Sequence, residues 1–316
     1  LARHHGDRGD FLAMLDQLRE EAGQTPVSAL DAAGKFSLAR HMSSENASLL
    51  IFACAIADFL AIDRDAYDIV AVTGNSMGWY LALTAGGALS PADGARLVNT
   101  MGTLMQAEGR GGQVVWPVVD DNWLPDPERL ALVESLVAFH DTIHWSIRLG
   151  GIAVIAADEA GLKILEQELP GDGRYPMRLA NHAAFHSPLL SHVPPLAQAR
   201  LGADLFGKPD LPLIDGQGRQ WSPWSADMQA LWRYTLGAQI DTPYDFSSAI
   251  SVAAKDFAPD CFIVLGPGTT MGAPVAQALI AEGWYGLTGK DAFKARQAAD
   301  PVVLAMGMDD QRALVV

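Results

Sequence analysis

Cysteine and charge are both scarce in this sequence, and each shortage excludes a class of protein. Only two cysteines, Cys54 and Cys261, occur in 316 residues, so the chain lacks the disulfide framework that stabilises small secreted domains. Charged residues make up 19% of the chain and hydrophobic residues 49%, a composition too apolar for a disordered protein. The length and composition predict a real hydrophobic core, divided between a large domain and a smaller one.

Basic residues are fewer than acidic ones. The chain has 22 lysines and arginines against 37 aspartates and glutamates, which gives a formal net charge of −15 at pH 7. A molecule of this charge repels phosphate backbones, and we therefore expect no nucleic-acid partner. Since a low cysteine content is typical of proteins in reducing compartments, we expect the protein in the cytoplasm.

Long hydrophobic runs are also missing. The most apolar stretch, residues 47–62, is interrupted by Asp58 and is shorter than the roughly 18 to 20 apolar residues that span a bilayer. We interpret this stretch as a buried core helix and expect no membrane association. The first residues, LARHHGDRGDF, contain no apolar region of the kind that a signal peptide needs.

Short apolar runs alternate with helical periods along the chain, and this alternation predicts an α/β fold. The run at 67–74 ends in glycine and is typical of a strand buried in a parallel sheet. Between 113 and 183 the predicted order is strand, helix, strand, strand, helix, strand, which is typical of a ferredoxin-like unit. We therefore expect a large domain formed by residues 1–112 and 184–316, with a small domain inserted at 113–183.

A Gly-x-Ser-x-Gly sequence, Gly74 to Gly78, lies between a predicted strand and a predicted helix. A sharp strand-to-helix turn of this type exposes the serine hydroxyl, and the glycines avoid clashes with the adjacent strand and helix. At the helix N-terminus the backbone N–H of Met77 is placed to stabilise an oxyanion. We predict that Ser76 is a nucleophile, and the alternative is a structural turn whose serine has no chemical role.

A serine nucleophile needs a base to take its proton, and histidine is the usual one. Three of the eight histidines, His182, His186 and His192, cluster in the segment NHAAFHSPLLSH (181–192). His186 lies next to Phe185 at the predicted junction of the two domains, where pockets are common. We prefer His186 as the base, with a buried structural histidine as the alternative, and we predict no metal site because His182 and His186 lack a third ligand nearby.

Six segments resemble, in the same order, motifs of malonyl-CoA:acyl-carrier-protein transacylases and polyketide-synthase acyltransferase domains. GNSMGW (74–79) resembles GHSxGE, MGTLMQ (101–106) resembles RGxxMQ, GIAVIAA (151–157) resembles GQxVIAG, AAFHSPLL (183–190) resembles HAFHSPLM, QIDTPYDF (239–246) resembles QxxxPVxW, and VLGPGTTM (264–271) resembles ExGPGxxL. The resemblance covers the chain from about residue 45 to its end. It implies an α/β-hydrolase-like core with a parallel sheet and an inserted ferredoxin-like subdomain.

The resemblance also implies an acyltransferase of fatty-acid or polyketide synthesis that works by a ping-pong mechanism. His186 would take the proton of Ser76, which attacks an acyl-CoA thioester and keeps the acyl group as an ester. The phosphopantetheine thiol of an acyl carrier protein would then accept the acyl group. A backbone carbonyl near Gln239 would orient the histidine, with the Gln239 side chain in support, and acyl-CoA would enter as a substrate without any bound cofactor.

The residue that would set acyl specificity departs from the family's pattern. Met101 stands where the family has an arginine that binds the free carboxylate of malonyl groups. Methionine cannot pair with a carboxylate, and an unpaired buried carboxylate is strongly unfavourable. We therefore expect malonyl to be a poor substrate unless another cation replaces the arginine. Arg148 is the first candidate for that replacement, and Arg110 is a weaker one.

Two further departures concern the pocket and the oxyanion hole. Asn75 and Trp79 replace the family's His and Glu, which predicts a pocket of different shape, with Trp79 at its mouth and Phe185 and Met101 in its walls. The family's GQGSQ loop, which carries a second oxyanion donor, should precede Leu1. Either the natural chain continues upstream or the oxyanion hole is incomplete, and loss of one donor costs roughly 100- to 1,000-fold in rate.

Three other functions stay open. A thioester hydrolase would use the same serine and histidine but let water attack the acyl-enzyme. A catalytically weakened homologue could act as a binding or scaffolding partner, in agreement with the missing loop and arginine. A lipase or esterase fits less well, because those enzymes carry their histidine near the C-terminus. Lys290, Lys294 and Arg296 form a candidate docking patch for a carrier protein, although a solvated helix face is the simpler interpretation.

Overall fold

The first third of the chain is mainly helical. The computed structural model describes the backbone of residues 1–316 and every side chain except that of residue 2. The elements are α1 (Ala2–His5), α2 (Gly9–Glu21), α3 (Val27–Asp31), α4 (Leu38–His41), α5 (Ser44–Ala61), strand β1 (Val72–Thr73), α6 (Gly78–Ala85) and α7 (Pro91–Glu108). Helix α5 is therefore the apolar stretch for which the sequence predicts a core helix.

Helix α5 is long and apolar enough to cross a membrane by length and composition alone, with a mean hydropathy of 1.4 over 18 residues. The core helix of a globular protein has the same properties. Leu49, Phe52 and Ile56 are at most 2% exposed, and the helix packs along α7. We therefore interpret α5 as a core helix.

Helix α7 begins where the sequence predicts. The hydroxyl of Ser90 accepts a hydrogen bond of 3.1 Å from the backbone N–H of Asp93. Pro91 occupies the first helical position, where its missing N–H would have no partner in any case. The buried face of α7 packs on α5, so these two long helices form one wall of the main core.

Residues 112–178 form an antiparallel sheet with two helices. The elements are β2 (Gly112–Pro117), α8 (Pro127–Phe139), β3 (Ile143–Leu149), β4 (Ile152–Ala157), α9 (Glu159–Glu168) and β5 (Met177–Arg178). The strands lie in the order β5-β2-β4-β3, and each is antiparallel to its neighbour. The succession of strands and helices is the one that the sequence predicts for 113–183.

The two faces of this sheet have different partners. Trp116 and Ile155 point to one face and pack with Leu162 of α9 in a separate small core. Val115 and Val154 point to the opposite face and belong to the main core. The sheet is therefore covered on one face by its own helices and on the other by the rest of the molecule.

The second half of the chain returns to the main body. Its elements are α10 (Val193–Arg200), β6 (Leu213–Ile214), β7 (Gln220–Trp221), α11 (Met228–Thr235), α12 (Ala238–Asp241), β8 (Tyr244–Asp245), α13 (Phe246–Phe257), β9 (Phe262–Val264), α14 (Gly272–Ala281), α15 (Lys290–Ala299), β10 (Val303–Ala305) and α16 (Asp309–Arg312), with short 3-10 turns at Pro188–Leu190, Ala203–Leu205 and Trp284–Gly286. Strand β8 pairs in parallel with β3, with Tyr244 opposite Ile147. The small sheet therefore includes one strand from outside 113–183.

The parallel strands expected for the large domain are present, but they lie in two separate sheets. Strand β1 pairs in parallel with β6, and β9 pairs in parallel with β10. Ile69 and Ile263 contact one apolar cluster, and Ala71 and Phe262 contact another. The two sheets thus lie side by side, and among the described residues no strand joins β1 to β9.

A buried ionic cluster connects the two ends of the chain. The carboxylate of Asp58, on α5, accepts hydrogen bonds from Arg312 Nη1 at 2.5 Å and from the backbone N–H of Gly266 at 2.8 Å. His5 Nε2 lies 2.7 Å from the same carboxylate. Since Asp58 is 4% exposed, this one side chain holds α1, α16 and the loop after β9 against α5.

We expect Asp58→Ala to destabilise the fold strongly. The substitution leaves the Arg312 guanidinium buried without its partner, which costs about 3–5 kcal/mol. Urea unfolding followed by circular dichroism measures the change. Asp309→Ala is the matched control, because Asp309 pairs with Arg3 at the surface and should contribute about 1 kcal/mol or less. Equal losses in the two variants would contradict the role given to Asp58.

Candidate active site

The turn that carries Ser76 is shaped by its backbone. Ser76 has a φ of +55°, a left-handed conformation that is costly for a residue with a side chain. A Cβ added at Gly74 would lie 2.0 Å from the Gly78 carbonyl oxygen, so only glycine fits at Gly74. At Gly78 an added Cβ would meet no described atom within 4 Å. The expectation that both glycines are sterically required is therefore wrong at Gly78, where the added atom would point into open space.

Ser76 and His186 lie in contact across the 110 residues that separate them. The Ser76 Oγ is 2.7 Å from His186 Nε2. His186 Nδ1 is 2.6 Å from the backbone oxygen of Gln239, and because a carbonyl only accepts, Nδ1 must carry the proton. The lone pair of Nε2 therefore faces the serine hydroxyl, which is the arrangement of a base and its nucleophile.

Gln239 contacts both members of this pair. Its backbone carbonyl holds His186, and its side-chain Nε2 donates to the backbone oxygen of Ser76 at 3.0 Å. The hydroxyl of Tyr80 donates to Gln239 Oε1 at 2.9 Å. Because Gln239 is 3% exposed, these hydrogen bonds have little competition from water and fix the distance between the serine and the histidine.

Burial controls the charge of His186. The residue is 3% exposed, and burial lowers its pKa to about 4, against the opposing effect of the hydrogen bond to the Gln239 carbonyl. The imidazole is therefore neutral at pH 7, as a general base must be.

The backbone N–H of Met77 is available to a ligand, since it has no acceptor among the described residues. It follows Ser76 directly, at the start of α6. The neighbouring Asn75 has a buried Oδ1 that also lacks a hydrogen-bond partner among the described residues. Both groups are close to the nucleophile in the chain and have unused hydrogen-bonding capacity.

Tyr244 was not found by sequence reasoning, although it lies in the 239–246 segment. Its hydroxyl donates a short hydrogen bond to the backbone oxygen of Gly74, and its ring centre is 5.3 Å from that of His186. Burial raises its pKa well above the ordinary value, so the phenol stays protonated and remains a donor. Tyr244 therefore supports the serine turn and the histidine at the same time.

A second group missed from the sequence consists of Gln113 and Ser146. Gln113 Nε2 donates to Ser146 Oγ at 2.6 Å, and Ser146 Oγ donates to the Phe185 carbonyl at 2.7 Å. These two side chains are polar positions inside the apolar strands β2 and β3, and they are at most 2% exposed. A polar residue within an apolar strand was the feature of the sequence from which these two positions could have been identified.

Two of the four expected pocket residues lie elsewhere. Trp79 is 0% exposed, and its indole N–H donates to Thr235 Oγ1 at 3.0 Å behind the serine turn. The expectation of Trp79 at a pocket mouth is therefore wrong, because the ring fills the core. Arg148 stacks on Trp145 with 4.1 Å to the ring centre and lies 3.8 Å from Glu134 of α8. It is thus held on the helix-covered face of the small sheet, and the structure does not bring it to the serine.

Met101 is buried in the core, and Phe185 lies next to His186. Met101 is 3% exposed within the main core, in a setting where an arginine would need a partner. Phe185 is half-buried, precedes His186 and lines a cavity beside it. Among the described residues, no three histidine, cysteine, aspartate or glutamate side chains are grouped so as to hold a metal ion.

Solved structures similar to this chain include malonyl-CoA:ACP transacylases and an acyltransferase domain of a polyketide synthase. The malonyl-CoA:ACP transacylase of a Synechocystis species superposes with a TM-score of 0.74 at 15% identity, covering 97% of this chain and 92% of that one. The acyltransferase domain from the second module of the salinomycin polyketide synthase superposes with a TM-score of 0.69 at 21% identity, covering 97% and 65%. The chain therefore has the fold of these enzymes, and the resemblance seen in the sequence is confirmed.

Curated relatives are much longer proteins. The phenolphthiocerol synthesis polyketide synthase type I Pks15/1 of Mycobacterium marinum is 32% identical over 175 residues, which are 54% of this chain and 8% of that protein. The matched segments therefore span less than a tenth of the length of these curated relatives. No protein-family model matches it.

We expect the reactivity of Ser76 to persist in mild acid. Since burial lowers the pKa of His186 to about 4, the base keeps its lone pair until the pH falls through that value. The rate of Ser76 labelling by a fluorophosphonate should therefore be half-maximal near the same pH, and not near the ordinary histidine pKa of about 6.5. Stopped-time mass spectrometry across pH gives the profile, with circular dichroism to show that the fold is intact at each pH.

Two variants make this profile specific. His186→Asn should remove labelling, because no base remains to take the serine proton. His192→Gln is the matched control, since its imidazole lies against the Glu108 carbonyl, and its profile should equal that of the wild type. An inflection near pH 6.5 in the wild type would show that the base is not the buried imidazole.

Proposed function

We propose that this chain is an acyltransferase that moves an acyl group from acyl-CoA, through an ester on Ser76, to the phosphopantetheine thiol of an acyl carrier protein. The observation that carries the proposal is the 2.7 Å contact between Ser76 Oγ and the unprotonated Nε2 of His186. The fold shared with malonyl-CoA:ACP transacylases supports it. An enzyme of this kind belongs to fatty-acid or polyketide synthesis and works in the cytoplasm.

The first half-reaction loads the serine. His186 Nε2 takes the hydroxyl proton while Ser76 Oγ attacks the thioester carbonyl, and the Met77 N–H donates to the resulting oxyanion. The C–S bond then breaks, and the CoA sulfur leaves with the proton from His186. In the second half-reaction the carrier thiol gives its proton to His186 and its sulfur attacks the ester carbonyl. The C–O bond to Ser76 then breaks, and Ser76 Oγ takes the proton back from His186.

We infer that the two domains frame this site. Residues 113–183 are the ferredoxin-like subdomain, supported by the strand order β5-β2-β4-β3, and residues 1–112 and 184–316 are the large domain. Ser76 and His186 belong to the large domain, while Gln113 and Ser146 of the subdomain hold the carbonyl that precedes His186. The reaction needs no bound cofactor, because the thioester is already activated.

Two side chains of the candidate docking patch for a carrier protein (Lys290, Lys294 and Arg296) already have partners at the surface. Lys290 lies over the Trp123 ring, and Arg296 pairs with Asp300. These contacts favour a solvated helix face over a docking site for the carrier protein, and the position of the docked carrier stays open.

Intact mass after incubation with acetyl-, butyryl- and malonyl-CoA tests the proposal. Loading should add one acyl group, and Ser76→Ala should abolish it. Addition of a holo carrier protein should then move the acyl group to the carrier thiol faster than it appears as free acid. Predominant release of free acid would instead support a thioester hydrolase. A folded protein that loads no acyl group would support a scaffolding homologue and overturn the proposal.

We expect neutral acyl groups to be preferred over malonyl. Met101 supplies no charge to pair with the carboxylate of a malonyl group. A hydrogen bond to a charged group is worth about 1.5–3 kcal/mol, so its loss should lower kcat/KM for malonyl-CoA at least about tenfold. Competition between butyryl-CoA and malonyl-CoA measures the ratio. Arg148→Ala is the control and should leave the ratio unchanged, because Arg148 is held by Trp145 and Glu134. A strong preference for malonyl would refute this assignment.

A further inference from the structure

A cavity of about 290 Å³ lies beside the loop that carries His186. Its walls come from the start of α5, the end of α7 and residues 181–185, and they include Ser44, Gln106, Asn181, His182 and Phe185. The side chains of Ser43, Ser44, Gln106, Asn181 and His182 are polar, so the cavity offers hydrogen-bonding groups to a ligand. The acyl-transfer steps above assign no role to it.

A chain of hydrogen bonds fixes the protonation of His182 on the wall of this cavity. The chain starts at the Phe185 carbonyl, which only accepts, so the hydroxyl of Ser146 must donate to it. Ser146 Oγ must then accept from Gln113, which turns the Gln113 amide nitrogen towards Ser146 and its Oε1 towards His182. His182 Nδ1, 2.8 Å from that oxygen, must therefore carry the proton.

The consequence is an unprotonated nitrogen at the cavity. With Nδ1 protonated and directed to the buried Gln113, Nε2 of the neutral ring has a lone pair on the opposite edge. The protein around the ring lowers the pKa of His182 by desolvation, which keeps the ring neutral at pH 7. A neutral imidazole of this tautomer offers a hydrogen-bond acceptor to whatever enters the cavity.

We propose that His182 Nε2 accepts a hydrogen bond from an N–H or O–H group of the bound acyl thioester, and so helps to position it beside His186. This inference rests on the proposed function and names a binding residue for the same site. The cavity is adjacent to the site along the chain, because Phe185 lines it and directly precedes His186. Two groups on such a substrate have this chemistry: the amide N–H groups of the pantetheine arm, and a hydroxyl on the acyl chain.

The tautomer is tested first, without any activity measurement. In a long-range proton–nitrogen NMR spectrum of histidine-labelled protein at pH 7, His182 should show a protonated Nδ1 and a bare Nε2. The signals are assigned by their loss in His182→Phe, a variant that keeps an aromatic ring against Phe185. A protonated Nε2 in the wild type would overturn the proposal, whatever the kinetics.

Kinetics then identify the donor on the substrate. For a substrate that carries the donor group, His182→Phe should raise KM about three- to tenfold, the value of one hydrogen bond. It should leave kcat unchanged, because the bond is made equally in the bound and transition states. His182→Gln, whose Oε1 is again an acceptor, should recover part of the loss. Labelling of Ser76 by a small fluorophosphonate should not change, which separates this effect from damage to the catalytic pair.

Truncated and hydroxylated substrates complete the experiment. If the pantetheine amides are the donors, butyryl thiophenyl ester, which lacks them, should not distinguish His182→Phe from the wild type. If an acyl hydroxyl is the donor, the variant should lose more on 3-hydroxybutyryl-CoA than on butyryl-CoA. Equal kinetics of variant and wild type on all three substrates would refute the role of His182. Failure of the wild type to load any of them would refute the acyltransferase proposal instead.

Discussion

The candidate site depends on one constraint: a serine and a histidine held in contact while both have left-handed backbones. Ser76 has a φ of +55° and His186 a φ of +54°, conformations that cost on the order of 1–3 kcal/mol each for residues with side chains. Such conformations persist only where the surrounding structure determines them. Hydrogen bonds to the backbone on both sides of the contact supply that determination. Gln239 Nε2 donates to the backbone oxygen of Ser76, and the backbone N–H of His186 donates to the Ile240 carbonyl at 3.0 Å.

The same constraint explains why polar groups lie so deep in an otherwise apolar body. Gln113, Ser146 and Gln239 are each at most 3% exposed, and each holds a backbone carbonyl or another polar side chain near the pair. A buried polar group without a partner is unfavourable, so a network of this kind is stable only when each donor has its acceptor. Its members therefore specify one geometry of the histidine loop, and a looser geometry would leave buried groups unpaired.

The sequence predicted the residues that belong to recognisable motifs, and it did not predict the residues whose position depends on long-range packing. Ser76 was found from a local pattern, and His186 and Gln239 from their segments. Tyr244 was missed because its hydroxyl reaches Gly74, 170 residues away in the chain, and no local pattern reports such a contact. Trp79 was misplaced for the same reason, since one-dimensional neighbours do not show which side of a turn faces the core. The succession of strands and helices in 113–183 was predictable because each element carries its own apolar period, and the β3–β4 hairpin is closed by a short local turn.

The long-range contacts of Gln239 and Tyr244 are important because the parallel strands are divided between two separate sheets. In a continuous parallel sheet, a strand that leads to a nucleophile has neighbours on both edges, which hold its backbone groups. Here β1 pairs only with β6 among the described strands, and only through Val72 and Thr73. The carbonyls immediately after it, those of Gly74 and Ser76, are held instead by side chains from the 239–246 segment. That segment also carries β8, which pairs with the small sheet. The serine turn is therefore held rigid largely by the 239–246 segment, at the junction between the sheet of β1 and β6 and the small sheet. A substitution at this junction should disturb the position of Ser76 before it disturbs the packing of the core.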